Sequence, residues 1–150
     1  MTTSKRNLVV CSLACLAVFL FGGLFQPGEW YAGLRRAPWT PPDIAFPIVW
    51  ALLYCAIAIA GWQIFNSGQR ALQGLWIAQL LVNGLWSWLF FGQHWPLASL
   101  VDIVLLGGLV LVLMIACFKA GLRQAGWLLL PYLLWLELAT TLNAYIVRFN

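Results

Sequence analysis

The sequence predicts an all-α membrane protein, a bundle of five transmembrane helices whose long first loop acts as a lid. Of its 150 residues, 63% are hydrophobic and only 8% are charged, whereas a soluble domain is about 45–50% apolar and about 25% charged. Five apolar segments each approach the roughly 20 residues that a helix needs to cross the hydrocarbon core. We expect the whole chain, residues 1–150, to form a single transmembrane domain.

The predicted spans are separated by short polar, glycine-containing or proline-containing stretches. They cover residues 7–25, 46–65, 71–91, 97–118 and 127–149, and the lid loop covers residues 26–45. The first apolar run is about 18 residues long and lacks a cleavage site, so we expect a retained helix rather than a signal peptide. Because the later links are short, sequence neighbours from the second span onward should pack antiparallel.

The distribution of cations predicts the orientation in the membrane. Five spans place the termini on opposite sides, so the N-terminal side carries five cations and the other side carries three. By the positive-inside rule, the N-terminus should be cytoplasmic and the lid should face outward. The five are Lys5, Arg6, Arg70, Lys119 and Arg123, and the three are Arg35, Arg36 and Arg148.

Several function classes are disfavoured by the same composition. The net charge of +4 is spread along the chain and forms no basic patch for nucleic acid. The four cysteines lie in apolar segments without a C-x-x-C pair, and His94 is the only histidine, so no metal site is predicted. No nucleophile–base–acid set and no phosphate-binding glycine loop are present, so no catalytic residue is predicted.

Three stripes of residues at helical spacing carry the candidate site. On the third span, Gln79, Asn83 and Ser87 recur every four residues and share one face. These side chains could bond neighbouring helices or line a ligand pocket, and the spacing leaves both interpretations open. The stripe of the second span is Trp50, Tyr54, Ile57 and Gly61, and that of the fifth is Trp135, Ala139, Asn143 and Ile146. Rings, uncharged polar groups and small residues suit a pocket for a flat apolar ligand, although a tightly packed bundle has the same composition.

Two acids lie within the spans. Asp102 is about two turns into the fourth span, close enough to reach towards the interface. Glu137 lies deeper and is two residues from both Trp135 and Ala139, an offset of about 200° around a helix. It should therefore face away from a pocket, towards a neighbouring helix, a second subunit or lipid.

The lid sequence EWYAGLRRAPWTPP contains three aromatic residues, two arginines and three prolines. Its prolines restrict the backbone and stiffen the segment. Tyr31 and Trp39 would form the outer wall of a pocket, and Arg35 and Arg36 could meet anionic groups at its mouth.

Residues 30–54, WYAGLRRAPWTPPDIAFPIVWALLY, resemble the signature of the TspO/MBR family, the tryptophan-rich sensory proteins. The mitochondrial members of that family are the translocator proteins, or peripheral-type benzodiazepine receptors. The family pattern Q-L-x-x-N-x-x-W-S-x-x-F-F is matched at residues 79–91, and P-Y-L-x-W…A-T-x-L-N is matched at residues 131–143. The resemblance covers essentially the whole chain. It departs at Arg35 and Arg36, where relatives carry a lysine, and at Glu137, where they carry a small or neutral residue.

The resemblance implies a five-helix bundle, often dimeric, in a bacterial membrane, with a ligand pocket beneath the lid. The implied ligands are protoporphyrin IX, haem, benzodiazepine-type compounds and, in some members, sterols, with no obligatory cofactor; the remaining partners are membrane lipid and a second copy of the chain. The implied pocket positions are Tyr31, Trp39, Trp50, Asn83, Ser87, Trp135, Ala139 and Asn143, to which the stripe of the second span adds Tyr54. Leu142, Tyr145 and Arg148 fit a motif proposed for cholesterol.

The function expected from this resemblance is tetrapyrrole binding with a sensory or regulatory role. Light-dependent degradation of the bound porphyrin is an alternative, because such chemistry requires no acid–base group. Transport of a tetrapyrrole or sterol is another, although a single bundle without repeated halves lacks the usual signs of a transporter.

Overall fold

The structure, a computed structural model, describes residues 2–150. All secondary-structure elements in this range are helices. Five of the helices are long and apolar enough to cross a membrane, which confirms the predicted fold class. The elements are α1 (Thr3–Gly23), the short α2 (Glu29–Ala32), α3 (Ala45–Ser67), α4 (Arg70–Ser87) with a π-helical turn (Trp88–Gly92), α5 (Pro96–Lys119) and α6 (Arg123–Phe149).

The helix boundaries depart from the predicted spans mainly at the cation-rich end of the bundle. α1 begins at Thr3, where the Thr2 hydroxyl accepts a hydrogen bond from the Lys5 backbone N–H. α6 begins at Arg123, four residues before the predicted start, and Pro131 lies inside the helix, as it does in the predicted span. Proline has no N–H, and the carbonyl of Trp127 therefore lacks its usual intrahelical partner.

The five long helices close into a ring in the order α1, α3, α6, α5, α4 and back to α1. The prediction that sequence neighbours pack together holds for α4 with α5 and for α5 with α6. It is only partly right for α3 and α4, because α3 packs chiefly against α1 and α6 while α4 packs chiefly against α5.

The two ends of the bundle carry different groups of polar contacts. At the cation-rich end, Asn7 donates a hydrogen bond to the Asn66 side chain at 2.8 Å, and the Trp62 indole donates to the Ser4 carbonyl at 3.1 Å. The lid and Asn150 lie together at the opposite end. The N-terminus and the lid therefore lie at opposite ends of the bundle, as the predicted division into five cations on one side and three on the other requires.

Side chains join α3 and α4 across the interior of the ring. The Trp76 indole donates a hydrogen bond to the Ile57 carbonyl at 3.0 Å. A Cβ added at Gly61 would lie 2.5 Å from the Trp76 ring. Glycine is therefore required at position 61, because any larger residue would displace the indole.

Candidate functional site

The lid is docked on the C-terminal end of α6 at two points. The Trp39 indole donates a hydrogen bond to the Thr141 hydroxyl at 3.1 Å, and its ring packs edge-on against Tyr145. The Asn150 side chain accepts a hydrogen bond from the Arg35 backbone N–H at 2.8 Å and donates to the Arg35 carbonyl at 3.2 Å. These contacts hold the segment between Arg35 and Trp39 against the bundle.

Beneath the lid, an aromatic layer covers the end of α4; it consists of Trp30, Tyr31, Trp86, Phe90 and Phe91. Tyr31 meets Phe90 and Phe91 edge-to-face, and Trp86 stacks on Phe90 with ring centroids 4.9 Å apart. Phe90 and Phe91 belong to the π-helical turn, whose wider winding changes the direction of the side chains relative to α4. Tyr31, which belongs to the lid, therefore contacts aromatic rings of the bundle.

The two lid arginines lie at the rim of this layer. Arg36 forms an ion pair with Asp43 at 3.2 Å, and its guanidinium lies over the Tyr31 ring. Both members of the pair are exposed, so the pair contributes little to stability. The Arg35 side chain is also exposed. Both cations are thus exposed at the end of the bundle that carries the lid.

A buried hydrogen-bond network occupies the centre of the bundle and links α3, α4 and α6. The Tyr54 hydroxyl donates to the Asn83 amide oxygen. The Asn83 amide donates to the Tyr132 hydroxyl at 2.6 Å, and that hydroxyl donates to Gln79 at 3.0 Å. Unpaired polar groups are costly in hydrocarbon. In this structure Gln79 and Asn83 therefore join helices, which is the first of the two interpretations left open by their spacing.

Asn143 forms a second buried junction, nearer the lid, between α4, α5 and α6. Its amide oxygen accepts hydrogen bonds from the Trp86 indole at 3.1 Å and the Ser99 hydroxyl at 3.0 Å. Its amide nitrogen donates to the Pro96 carbonyl at 2.8 Å. The predicted ligand residue is thus engaged with protein groups on both sides of its amide.

Ser87 turns away from Gln79 and Asn83, although the three share one stripe in the sequence. Four residues advance a helix by about 400°, so each step of four rotates the side chain by about 40°. After two steps, Ser87 lies against α1, where a Cβ added at Gly22 would be 3.2 Å from the Ser87 hydroxyl. It is half-buried and separate from the central network.

Trp50 and Trp135 lie on the side of the bundle where α3 meets α6. Trp50 packs against Tyr54 and Tyr132, with ring centroids 5.6 and 6.3 Å away. Trp135 packs edge-on against Phe46. The Trp135 indole N–H is buried and finds no hydrogen-bond partner among residues 2–150.

Trp135 also lines an apolar groove of about 390 Å³, here called the α3/α6 groove. Leu52 and Leu134 on its walls are 67% and 61% exposed, so the groove opens towards the lipid. The other lining residues are Val49, Leu53 and Pro131. A second depression, of about 440 Å³, lies on the outer surface of the lid and is lined by Arg36, Ala37, Thr40, Pro41, Pro42 and Asp43.

The predicted site residues therefore fall into several neighbouring groups instead of one cavity. Trp50, Tyr54 and Asn83 meet at the bundle centre, and Trp135 lines the groove beside it. Ala139 is half-buried against the core. Within the proposed cholesterol motif, Leu142 is buried while Arg148 is exposed over the Phe149 ring and Tyr145 packs on that ring, so its three members share no single surface.

One central residue, Tyr132, was not among the predicted site residues. Tyr132 is fully buried and hydrogen-bonds both Asn83 and Gln79. Its spacing of three and seven residues from Trp135 and Ala139 is the helical signal that could have identified it.

The two intramembrane acids lie in different environments. Asp102 is buried inside the bundle: it is only 7% exposed, and its Oδ2 atom finds no partner among the described residues. Its predicted reach towards the membrane interface stays a prediction. Its helix turns it into the bundle because Ser99, Ile103 and Leu106, at adjoining helical positions, are buried too. Glu137 is exposed on the outer surface, away from the central network, as its offset from Trp135 predicts.

Comparison with known proteins supports the identification made from the motifs. The sequence model of the TspO/MBR family matches residues 11–148. The tryptophan-rich protein TspO of Chlorobaculum tepidum is 38% identical over 96% of this chain and 96% of its own length. Protein CrtK of Rhodobacter capsulatus is 31% identical over 98% of this chain and 94% of its own. The human translocator protein is 34% identical over 93% of this chain and 85% of its own. The chain belongs to the TspO/MBR family, and it is an integral membrane protein of that family.

Proposed function

We propose that this protein binds a flat tetrapyrrole, protoporphyrin IX or haem, from the lipid phase and serves a sensory or regulatory role. The observation that carries the proposal is Trp135: its side chain lines the α3/α6 groove, and its buried indole N–H has no hydrogen-bond partner among residues 2–150. A buried donor without an acceptor is costly and indicates that a further group is accepted at that place.

The α3/α6 groove has the character expected of an entry site for such a ligand. Its volume of about 390 Å³ lies within the range of roughly 300–1,000 Å³ that small-molecule pockets occupy. Its exposed leucines let an apolar molecule arrive laterally from the bilayer. The indole faces of Trp50 and Trp135 would stack on a flat macrocycle, and the Trp135 N–H would donate to one of its acceptors.

The residues present also fit the anionic groups of a porphyrin. Arg35 is exposed at the outer end of the bundle, and Arg36 is held by an exposed ion pair with Asp43. Because such a pair is weak, a propionate could replace Asp43 at Arg36 and form a charge-assisted hydrogen bond. The ligand would then span from the rim of the lid towards Trp135.

Two observations support a sensory role: the names of similar proteins and the hydrogen-bond network that fills the centre of the bundle. Proteins similar to this chain are named tryptophan-rich sensory protein and translocator protein. The closed network of Tyr54, Asn83 and Tyr132 fills the interior and favours binding over passage through the bundle. Benzodiazepine-type compounds, being flat and apolar, would use the same groove.

Titration of the purified protein with protoporphyrin IX, followed by porphyrin absorbance, tests this function. The unmodified protein should bind with saturation. Trp135→Phe keeps a ring but removes the N–H, and should weaken binding about 5- to 10-fold, as expected for one lost hydrogen bond. Trp127→Phe, at an exposed tryptophan outside the groove, is the matched control and should bind normally. Non-saturating absorbance changes, unaffected by Trp135→Phe, would count against a specific site.

A further inference from the structure

The cation-rich end of the bundle carries five basic residues and, among the residues that the structure describes, no acid. Two of the four acids, Glu29 and Asp43, belong to the lid. The other two, Asp102 and Glu137, lie more than about 20 Å from this end along α5 and α6, at 1.5 Å per residue. All five cations are exposed, and the ion pair between Arg36 and Asp43 is the only one within residues 2–150. These five cations therefore lack a carboxylate partner in the protein.

Two of these cations, Lys119 and Arg123, flank the turn between α5 and α6. Lys119 is the last residue of α5, and Arg123 is the first residue of α6. Within the turn, the Leu122 backbone N–H donates a hydrogen bond to the Cys117 carbonyl at 2.9 Å. Gly121 has the left-handed φ of 79° that this type of helix end requires. The turn therefore holds the backbones of the two basic residues in a fixed relation, four positions apart.

Below this turn, α5 and α6 present aromatic rings and then aliphatic side chains to the lipid. Phe118 packs edge-on against Trp127, with ring centroids 5.4 Å apart, and Trp127 is exposed, as is typical of a tryptophan at the membrane interface. Ile115 and Val112, about one and two turns deeper than Lys119 on the same helix face, are exposed too. The surface thus changes from cationic to aromatic to aliphatic with depth, in the order of the headgroup, glycerol region and acyl chains of a phospholipid.

We propose that Lys119 and Arg123 together bind the phosphate of one anionic phospholipid, whose acyl chains lie along α5 and α6. Phosphate oxygens accept charge-assisted hydrogen bonds from an ammonium and from a guanidinium. The headgroup of phosphatidylcholine carries its own cation, which two protein cations would repel. A lipid without that cation, represented here by phosphatidylglycerol, should therefore be preferred. Lys119 and Arg123 are here called the α5/α6 turn site.

The other cations at this end are less suited to holding one phosphate. Lys5 and Arg6 are successive residues of α1, so they diverge by about 100° around the helix. Arg70 begins α4 and has no second cation within its first turn. The α5/α6 turn site is also separate from the proposed tetrapyrrole site, because neither of its residues lines the α3/α6 groove. Lipid selectivity and porphyrin binding can therefore be tested independently.

Native mass spectrometry of the protein in detergent, titrated separately with phosphatidylglycerol and phosphatidylcholine, measures the lipids bound per chain. The unmodified protein should bind one phosphatidylglycerol about tenfold more tightly than phosphatidylcholine. A basic residue at a membrane surface strengthens the binding of anionic lipid about fivefold. Lys119→Gln combined with Arg123→Gln should therefore weaken phosphatidylglycerol binding about 10- to 30-fold and leave phosphatidylcholine binding unchanged.

Lys5→Gln combined with Arg6→Gln is the matched control, because it removes the same charge from the same end of the bundle. It should change the affinity less than about twofold, since distant exposed charges are screened. Equal weakening by the two double variants would overturn the proposal, because it would show a diffuse attraction to the cation-rich end. Equal affinity of the unmodified protein for the two lipids would overturn it as well.

Thermal unfolding in detergent distinguishes a lipid from a free anion as the occupant. Phosphatidylglycerol should raise the melting temperature of the unmodified protein, and inorganic phosphate alone should not. Stabilisation by inorganic phosphate to the same extent would contradict a lipid site. Without added lipid, both double variants should melt at the temperature of the unmodified protein, because the substituted residues are exposed.

Discussion

The Asn83 amide donates a 2.6 Å hydrogen bond to the Tyr132 hydroxyl, and this contact joins α4 to α6 at the centre of the bundle. Tyr54 of α3 donates to the same amide. Two predicted ligand residues, Tyr54 and Asn83, thus hydrogen-bond to each other, and Asn83 also bonds Tyr132. A molecule that advanced from the α3/α6 groove into the centre would have to replace these bonds.

The central network should contribute measurably to stability. Tyr132→Phe removes the hydroxyl shared by Asn83 and Gln79, leaving buried amide groups unsatisfied. We expect a loss of about 1–3 kcal/mol in the free energy of unfolding, measured by chemical unfolding in detergent micelles. Tyr145→Phe, at a half-buried tyrosine outside the network, should cost under about 0.5 kcal/mol. Equal effects of the two substitutions would contradict the proposed importance of the network.

The packing of Trp76 against Gly61 should tolerate no added methyl group. Gly61→Ala places a Cβ 2.5 Å from the indole, and overpacking of this kind costs about 1–3 kcal/mol. Gly74→Ala, with open space around its Cβ, should be neutral or slightly stabilising. Melting temperatures of the two variants, compared by circular dichroism, provide the measurement. A Gly61→Ala protein as stable as the parent would show that the α3–α4 contact is looser than described.

The contact between the lid and α6 should control the opening of the lid. Thr141→Val removes the acceptor of the Trp39 indole; hydrogen exchange of lid amides should then accelerate about 2- to 10-fold, as expected for one neutral hydrogen bond. Thr140→Val is the matched control, because the Thr140 hydroxyl bonds the Leu136 carbonyl within α6. If both variants exchange at the same rate, the Trp39 bond does not hold the lid.

The orientation predicted from charge can be tested with a membrane-impermeant maleimide on intact cells. A cysteine introduced at Arg35 in the lid should be labelled directly, and one at Gln69, beside the cation-rich end, only after permeabilisation. Both positions are exposed. The reverse pattern would show that the lid faces the cytoplasm.

The sequence was most informative about features that depend on local composition. Apolar runs identified all five spans, because burying a helix in lipid requires them. The stripe of Gln79 and Asn83 correctly indicated a shared face, but the 40° rotation per step moved Ser87 towards α1. Helix ends were less predictable: the predicted span 127–149 already contained Pro131, but α6 begins four residues earlier, at Arg123, because the helix continues beyond the apolar run that the prediction followed.

Contacts between distant segments could not be predicted from the sequence. The bond from Trp39 to Thr141 joins residues 102 positions apart, and no local pattern encodes such a pairing. The ion pair of Arg36 with Asp43 joins two lid residues that are seven positions apart, and no helical or strand spacing predicts a pairing within such a loop. The π-helical turn after Ser87 had no signal either, since its residues fit an ordinary helix equally well.

The most direct measurement of the central claim is the nuclear magnetic resonance signal of the Trp135 indole N–H during titration with protoporphyrin IX. The signal is assigned by its absence in Trp135→Phe. If the ligand occupies the α3/α6 groove, the Trp135 resonance should shift with saturation, while that of Trp127 stays in place. A Trp135 signal that is unchanged at saturating porphyrin would contradict the proposed site.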